Sequence, residues 1–150
     1  MHVLVDTGVL LRLLNRADPQ HGDIRRAVRT LKGRGDTPAT SPQNVAEFWN
    51  VCTRPASARG GYGLSIDETD RRVRLVERLV RVLPDAVAAY RLWRQLVTAH
   101  AVRGVQVHDA RLVAWMHAHG ITHVLTLNGA DFARYPGITA LAPADVLASP

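Results

Sequence analysis

Val3-Leu4-Val5-Asp6-Thr7, near the amino terminus, is three consecutive apolar residues followed by a carboxylate and a hydroxyl. Two of the three apolar residues are β-branched. A short run of this kind fits a strand buried on both faces, as at the centre of a parallel sheet. The run stops at Asp6, and helical spacing begins at once with Val9, Leu10, Leu13 and Leu14. Asp6 therefore stands at the carboxyl end of a central strand and on the amino-terminal side of a helix. In open α/β sheets, ligands bind in that crevice. Two readings of the carboxylate stand: a helix N-cap, or a metal-binding and catalytic group. The choice rests on whether other acids arrive at the same place.

Moving outward, strand and helix signals alternate along the chain. Asp18-Pro19 ends the first helix. Ile24, Val28 and Leu31 follow at helical spacing, with Arg25, Arg26, Arg29 and Lys32 on the other face and Gly33 and Gly35 as the stop. Thr37–Thr40 reads as a weak strand. Ser41-Pro42 starts a helix over Pro42–Thr53, with Val45, Phe48, Trp49 and Cys52 as its apolar face and Glu47 beside that face. Residues 54–63 hold Pro55, Gly60, Gly61 and Gly63 and form a loop. Ser65 and Glu68 make a capping box that opens a helix carrying Val73, Val76, Leu79 and Val80.

Residues 81–84 form a short edge strand. Residues 87–101 form a helix with Tyr90, Trp93, Leu96 and Val97 inward. Residues 105–119 form another, with Leu112, Val113 and Met116 inward, Asp109 in its first turn and Gly120 closing it. Residues 123–127 are a second buried strand, leading into Asn128-Gly129-Ala130-Asp131-Phe132. A last strand covers 138–141 and a final helical turn 143–147. The alternation predicts a three-layer α/β/α sandwich around a mainly parallel sheet. No internal repeat or dividing linker interrupts it, so a single domain over residues 1–150 is expected.

Composition bounds the partners. At 150 residues and 47% apolar content, the chain can bury a full core and is not a disordered segment. The formal charge is +6, and 18 of the 19 basic residues are arginine. Guanidinium groups match phosphates in a bidentate way, which favours polyanionic partners; arginine-rich coding in GC-rich genomes gives the same excess. No apolar run approaches the ~18 residues of a membrane span, and no secretory signal is visible. The single Cys52 has no internal partner, as expected in a reducing cytoplasm, and reads as a small core residue.

Four acids occupy element ends or positions beside the core: Asp6, Glu47, Asp109 and Asp131. Asp18, Asp23, Asp36, Asp67, Asp70, Glu77 and Asp85 fall in loops or on polar faces. Carboxylates held together do not all stay ionised without a cation between them. Hard oxygen ligands select Mg²⁺ or Mn²⁺, and such an ion activates water against a phosphoryl group. The reaction class that follows is phosphodiester hydrolysis, and the basic surplus points independently to nucleic acid.

Leu4-Val5-Asp6-Thr7, Asn44-Val45-Ala46-Glu47-Phe48, His108-Asp109-Ala110 and Leu125-Thr126-Leu127-Asn128-Gly129-Ala130-Asp131-Phe132, in this order and spacing, resemble PIN-domain proteins. Among these the chain is most similar to the VapC-type ribonuclease toxins of toxin–antitoxin pairs, over residues 2 to about 147. The resemblance implies that Asp6 and Asp109 bind Mg²⁺ directly, with Mn²⁺ able to substitute. It implies that Glu47 completes the acidic site directly or through water, and that Asp131 is the fourth acid. Asn128 would line the pocket, and Thr7 would orient Asp6 through its hydroxyl. It further implies an RNA substrate, a homodimer and a cognate VapB-type antitoxin whose tail enters the acidic groove. The chain departs from many relatives at Gly8, where they carry Asn or Ser, and from some at Asn128, where they carry an acid; the fourth corner thus falls to Asn128 or Asp131.

Other readings stay beside these. Asp109 and Asp131 are also placed to cap the turns that follow them, Glu47 to be a solvated helix residue, and Asn128-Gly129 to be a turn signal alone. His108 reads as surface or packing, and the seven histidines lack companion cysteines, so zinc is not expected. Asp6-Thr7-Gly8 matches the aspartic-protease triplet, but that fold is all-β and here a leucine-rich helix follows. A receiver domain needs a late lysine, and Lys32 is early and alone; a haloacid-dehalogenase phosphatase needs an acid where Gly8 stands. The alternatives in function are a non-catalytic RNA-binding module of the same fold, or a phosphatase of small substrates.

Overall fold

The computed structural model describes residues 1–148. Its sheet has five strands in the order β3-β2-β1-β4-β5, all parallel. β1 (His2–Val5) lies at the centre, between β2 (Thr37–Thr40) and β4 (His123–Leu125). β3 (Arg81–Val82) and β5 (Thr139–Leu141) form the edges. Leu4 pairs with Ala39 on one side and Val124 on the other.

The central strand shows why the fold has three layers. Val3, Leu4 and Val5 are all fully buried, but successive side chains of a strand point to opposite faces. Val3 and Val5 enter a core built with α1 (Thr7–Leu13), α2 (His21–Gly33), α3 (Pro42–Thr53), α4 (Ile66–Leu79) and α7 (Pro143–Ala148). Leu4 enters a second core, with α6 (Val107–Ala118) and, at its margin, α5 (Ala89–Ala99). Ile24, Val28, Leu31, Phe48, Cys52, Leu112, Val113 and Met116 are buried as their spacing predicts. Pro42 follows the Ser41 cap of α3, and both halves of the Ser65–Glu68 capping box form at α4. Among the described residues no helix is long and apolar enough to cross a membrane.

Strand order makes the crevice. From β1 the sheet grows through β2 to β3, and the chain then returns to place β4 on the other side of β1. The reversal lies between β1 and β4, and loops diverge there at the carboxyl ends of the strands. The Asp6 amide donates to the Leu125 carbonyl across this line at 3.1 Å.

The structure differs from the sequence expectation at several element ends. α1 begins at Thr7 rather than Val9, because Asp6 caps it without an intervening turn. β4 stops at Leu125 rather than continuing to residue 127, since Thr126 turns its hydroxyl toward Asp6. A 3-10 turn, Gly104–Gln106, precedes α6, with Gly104 at φ 58 making the bend. The largest correction concerns α5, which buries no residue completely. Tyr90, expected inward, is 67% exposed, and Trp93, Leu96 and Val97 are only partly covered. α5 lies at the outside of its layer against α6, so only a narrow stripe of its apolar surface is covered.

Candidate active site

Asp6 serves both as a cap and as part of an acidic cluster. Its carbonyl accepts from the Val9 and Leu10 amides at 3.0 Å each, and its Oδ1 accepts from the Thr7 amide at 2.8 Å. Oδ1 also accepts from Asn44 Nδ2 at 3.3 Å, and Oδ2 accepts from Thr126 Oγ1 at 2.8 Å. Thr126 reaches it because Val5 pairs with Leu125, so the residues that follow the two strands lie side by side. The Thr126 hydroxyl in turn accepts from the Asn128 amide at 3.1 Å.

Glu47 comes from the second turn of α3 and is half-buried, not solvated. Thr7 Oγ1 donates to its Oε2 at 2.7 Å, and Gln43 Nε2 donates to its Oε1 at 3.1 Å. The Thr7 hydroxyl therefore serves Glu47, and only the Thr7 amide reaches Asp6, which corrects the expected role of that hydroxyl. Gln43 Nε2 also donates to the His108 carbonyl at 3.0 Å, tying α3 to the start of α6.

Asp109 lies in the first turn of α6, where no side chain caps the helix. Its carboxylate has no hydrogen-bond or ion-pair partner among the described residues. Asp131 is exposed on the 3-10 turn Gly129–Phe132; its Oδ2 accepts from Asn128 Nδ2 at 2.6 Å, while its amide donates to the Asn128 carbonyl at 3.3 Å. Asn128 and Asp131 thus stand together as one hydrogen-bonded pair.

The charges of the neighbouring acids reach Asp6 and Asp109. Burial above all holds the Asp6 carboxyl above the usual range, and the charges of Glu47 and Asp131 push the same way. Hydrogen bonds from Thr126 and Thr7 oppose the rise. Asp109 is pushed up to about 6, first by burial and then by the charges of Asp131, Asp6 and Glu47, with His108 opposing. Of the ion pairs among the described residues, none involves these four acids, although the chain has 19 basic residues. No three His, Cys, Asp or Glu side chains among the described residues are gathered tightly enough to hold a metal ion on their own. The four acids are linked through their charges at Asp6 and Asp109 and form no tight cage among the described residues.

Asn44 and Thr126 were not singled out from the sequence as site residues. Asn44 is fully buried and bridges Asp6 and Thr7, donating to the Thr7 hydroxyl at 3.0 Å. Ser41 fixes it by donating to its Oδ1 at 2.6 Å and accepting from its amide at 3.1 Å. One signal was present: Asn44 precedes Glu47 by three positions, so the two share a helix face. For Thr126, the signal was its place at the end of the strand beside β1.

The PIN domain family model matches residues 3–138. No curated protein sequence matches the chain. Among solved structures, the chain is similar to VapBC2 from Rickettsia felis bound to a promoter DNA fragment, at 14% identity and TM-score 0.71, over 95% of this chain and 98% of that one. It is similar to VapBC-1 from Haemophilus influenzae at 14% identity and TM-score 0.68, over 96% and 99%. It is also similar to VapC20 from Mycobacterium tuberculosis, described as a sarcin-ricin loop cleaving toxin, at 21% identity and TM-score 0.62, over 89% and 95%.

Proposed function

The chain belongs to the PIN-domain family, and from that membership we propose that it is a Mg²⁺-dependent endoribonuclease, the toxin of a toxin–antitoxin pair. The observation that carries the reading is the cluster itself. The carboxyls of Asp6 and Asp109 are held above the ordinary range by burial, with the charges of Glu47 and Asp131 adding to it, and no ion pair among the described residues neutralises any of the four. A divalent cation resolves that repulsion. Mg²⁺ keeps several waters and takes only one or two carboxylates directly, which suits acids that form no tight three-ligand cage among the described residues. In this reading Asp6 and the unpartnered Asp109 are the direct ligands, and Mn²⁺ substitutes.

When bound, the ion supplies a Lewis acid and an activated water for phosphodiester hydrolysis. The protein supplies alignment. Thr126 and Asn44 fix the two oxygens of Asp6 from opposite sides. Thr7 and Gln43 hold Glu47 by one hydrogen bond on each oxygen, leaving lone pairs to orient water. Asn128 steadies Asp131 at the mouth. The toxin assignment draws on fold neighbours described as VapBC structures and as a sarcin-ricin loop cleaving toxin; by the same reading this chain pairs with a VapB-type antitoxin, forms a homodimer and works in the cytoplasm as a single domain.

Incubation of the purified protein with RNA tests the reading. Cleavage is expected with Mg²⁺ or Mn²⁺, none with EDTA, and a loss of at least about 100-fold for a folded Asp6→Asn protein. Metal-independent RNA binding without cleavage by the wild type makes the chain a binding module, and turnover of a phosphomonoester alone makes it a phosphatase.

A further inference from the structure

A cavity of about 440 Å³ is walled by Tyr90 and Trp93 of α5 and by Arg111 of α6. That volume falls within the ~300–1,000 Å³ of small-molecule sites. Gln43 lines it while donating to Glu47 and to the His108 carbonyl, so one side chain borders both the cavity and the acids. The Tyr90 and Trp93 rings lie 6.1 Å apart and tilted by 32°. Tyr90 also borders a second, open groove with Arg91 and Arg94. α5 carries no acidic residue, and no carboxylate pairs with Arg91, Arg94 or Arg111 among the described residues. Asp85 is the sole carboxylate lining the cavity.

Glu47, the aromatic cavity and the basic groove are therefore consecutive, joined by Gln43 and then Tyr90. We propose that this face is a track for single-stranded RNA, with an unstacked base seated against Tyr90 and Trp93 next to the scissile phosphate and the adjoining backbone lying on Arg91 and Arg94. The proposal rests on the ribonuclease reading and deepens it. Single-stranded RNA is held by bases stacked on aromatic rings and by cations along the backbone. At the cavity wall the Asp85 carboxylate and the Gln43 Oε1, whose amide nitrogen is spent on Glu47 and the His108 carbonyl, offer acceptors to the base edge. The exposure of Tyr90, which packing within the chain leaves unexplained, is what such a platform requires.

Equilibrium binding of a fluorescein-labelled single-stranded RNA octamer of mixed sequence, in EDTA so that nothing is cut, is the test. Tyr90→Ala is expected to weaken binding about 5- to 150-fold, with Tyr90→Phe restoring it. Arg91→Gln and Arg94→Gln are each expected to lower the slope of log affinity against log salt by about 0.7, while Arg29→Gln on α2 leaves it unchanged. A blunt RNA duplex should bind more weakly than the single strand. If the wild type binds and cuts RNA but Tyr90→Ala and Arg94→Gln match it, the track is wrong and the ribonuclease stands. If Tyr90→Ala changes the sedimentation of the protein but not its RNA affinity, the face is an interface between copies and the proposal falls. If the wild type neither binds nor cuts RNA, both fall.

Discussion

Metal affinity should depend on pH through Asp109. Its carboxyl lies at about 6, so it is about 90% protonated at pH 5 and only about 3% at pH 7.5. A protonated carboxyl must release its proton before it ligates. Proton competition alone therefore weakens Mg²⁺ or Mn²⁺ binding about tenfold at pH 5, roughly 1.4 kcal/mol. Asp109 is partly open to solvent, which screens its neighbours' charges, so the observed factor should lie between about three and ten. Without metal the sign is also fixed. The folded chain binds the Asp109 proton more tightly than the unfolded chain does, so stability falls as pH rises from the ordinary carboxyl range through about 6. Saturating metal should remove that fall. Thermal-shift titrations with Mn²⁺ at the two pH values, with EDTA blanks and Asp109→Asn as reference, measure both effects. Equal affinity at both pH values, or the same pH dependence in Asp109→Asn, refutes the assignment of Asp109 as a ligand.

Two substitutions separate alignment from packing. Thr126→Val keeps the shape but removes the donor to Asp6 Oδ2 and the acceptor of the Asn128 amide; it should cost about 1–3 kcal/mol in urea unfolding and lower the cleavage rate while leaving RNA affinity intact. Phe48→Ala empties a site that is 1% exposed beneath α3; a loss of about 3–5 kcal/mol is expected, read from the denaturation midpoint, with metal affinity retained in whatever fraction stays folded.

What the sequence revealed depended on how local the deciding physics was. Val3-Leu4-Val5 announced a central strand because burial on both faces leaves no polar position, and the Ser65–Glu68 box announced a helix start because both partners lie within one turn. Asp6 was legible as an element end and as a helix cap: its Oδ1 caps α1, while its carboxyl also feels the charges of Glu47 and Asp131. Asn44 and Thr126 were less visible because their roles arise only once α3 and β4 are set beside β1. Apolar spacing in α5 reported a helix correctly but not how little of it a neighbour would cover, so Tyr90 was read as core. The Thr7 hydroxyl was assigned to its sequence neighbour, whereas the fold gave it a partner forty positions away.

On this reading, acids spread over more than a hundred positions share one divalent ion. Anomalous scattering from crystals soaked in Mn²⁺ tests it most directly. A manganese peak about 2.0–2.2 Å from carboxylate oxygens of both Asp6 and Asp109 is the expected result. Saturating Mn²⁺ that leaves those two residues without a peak, in crystals of protein that still cuts RNA, contradicts it.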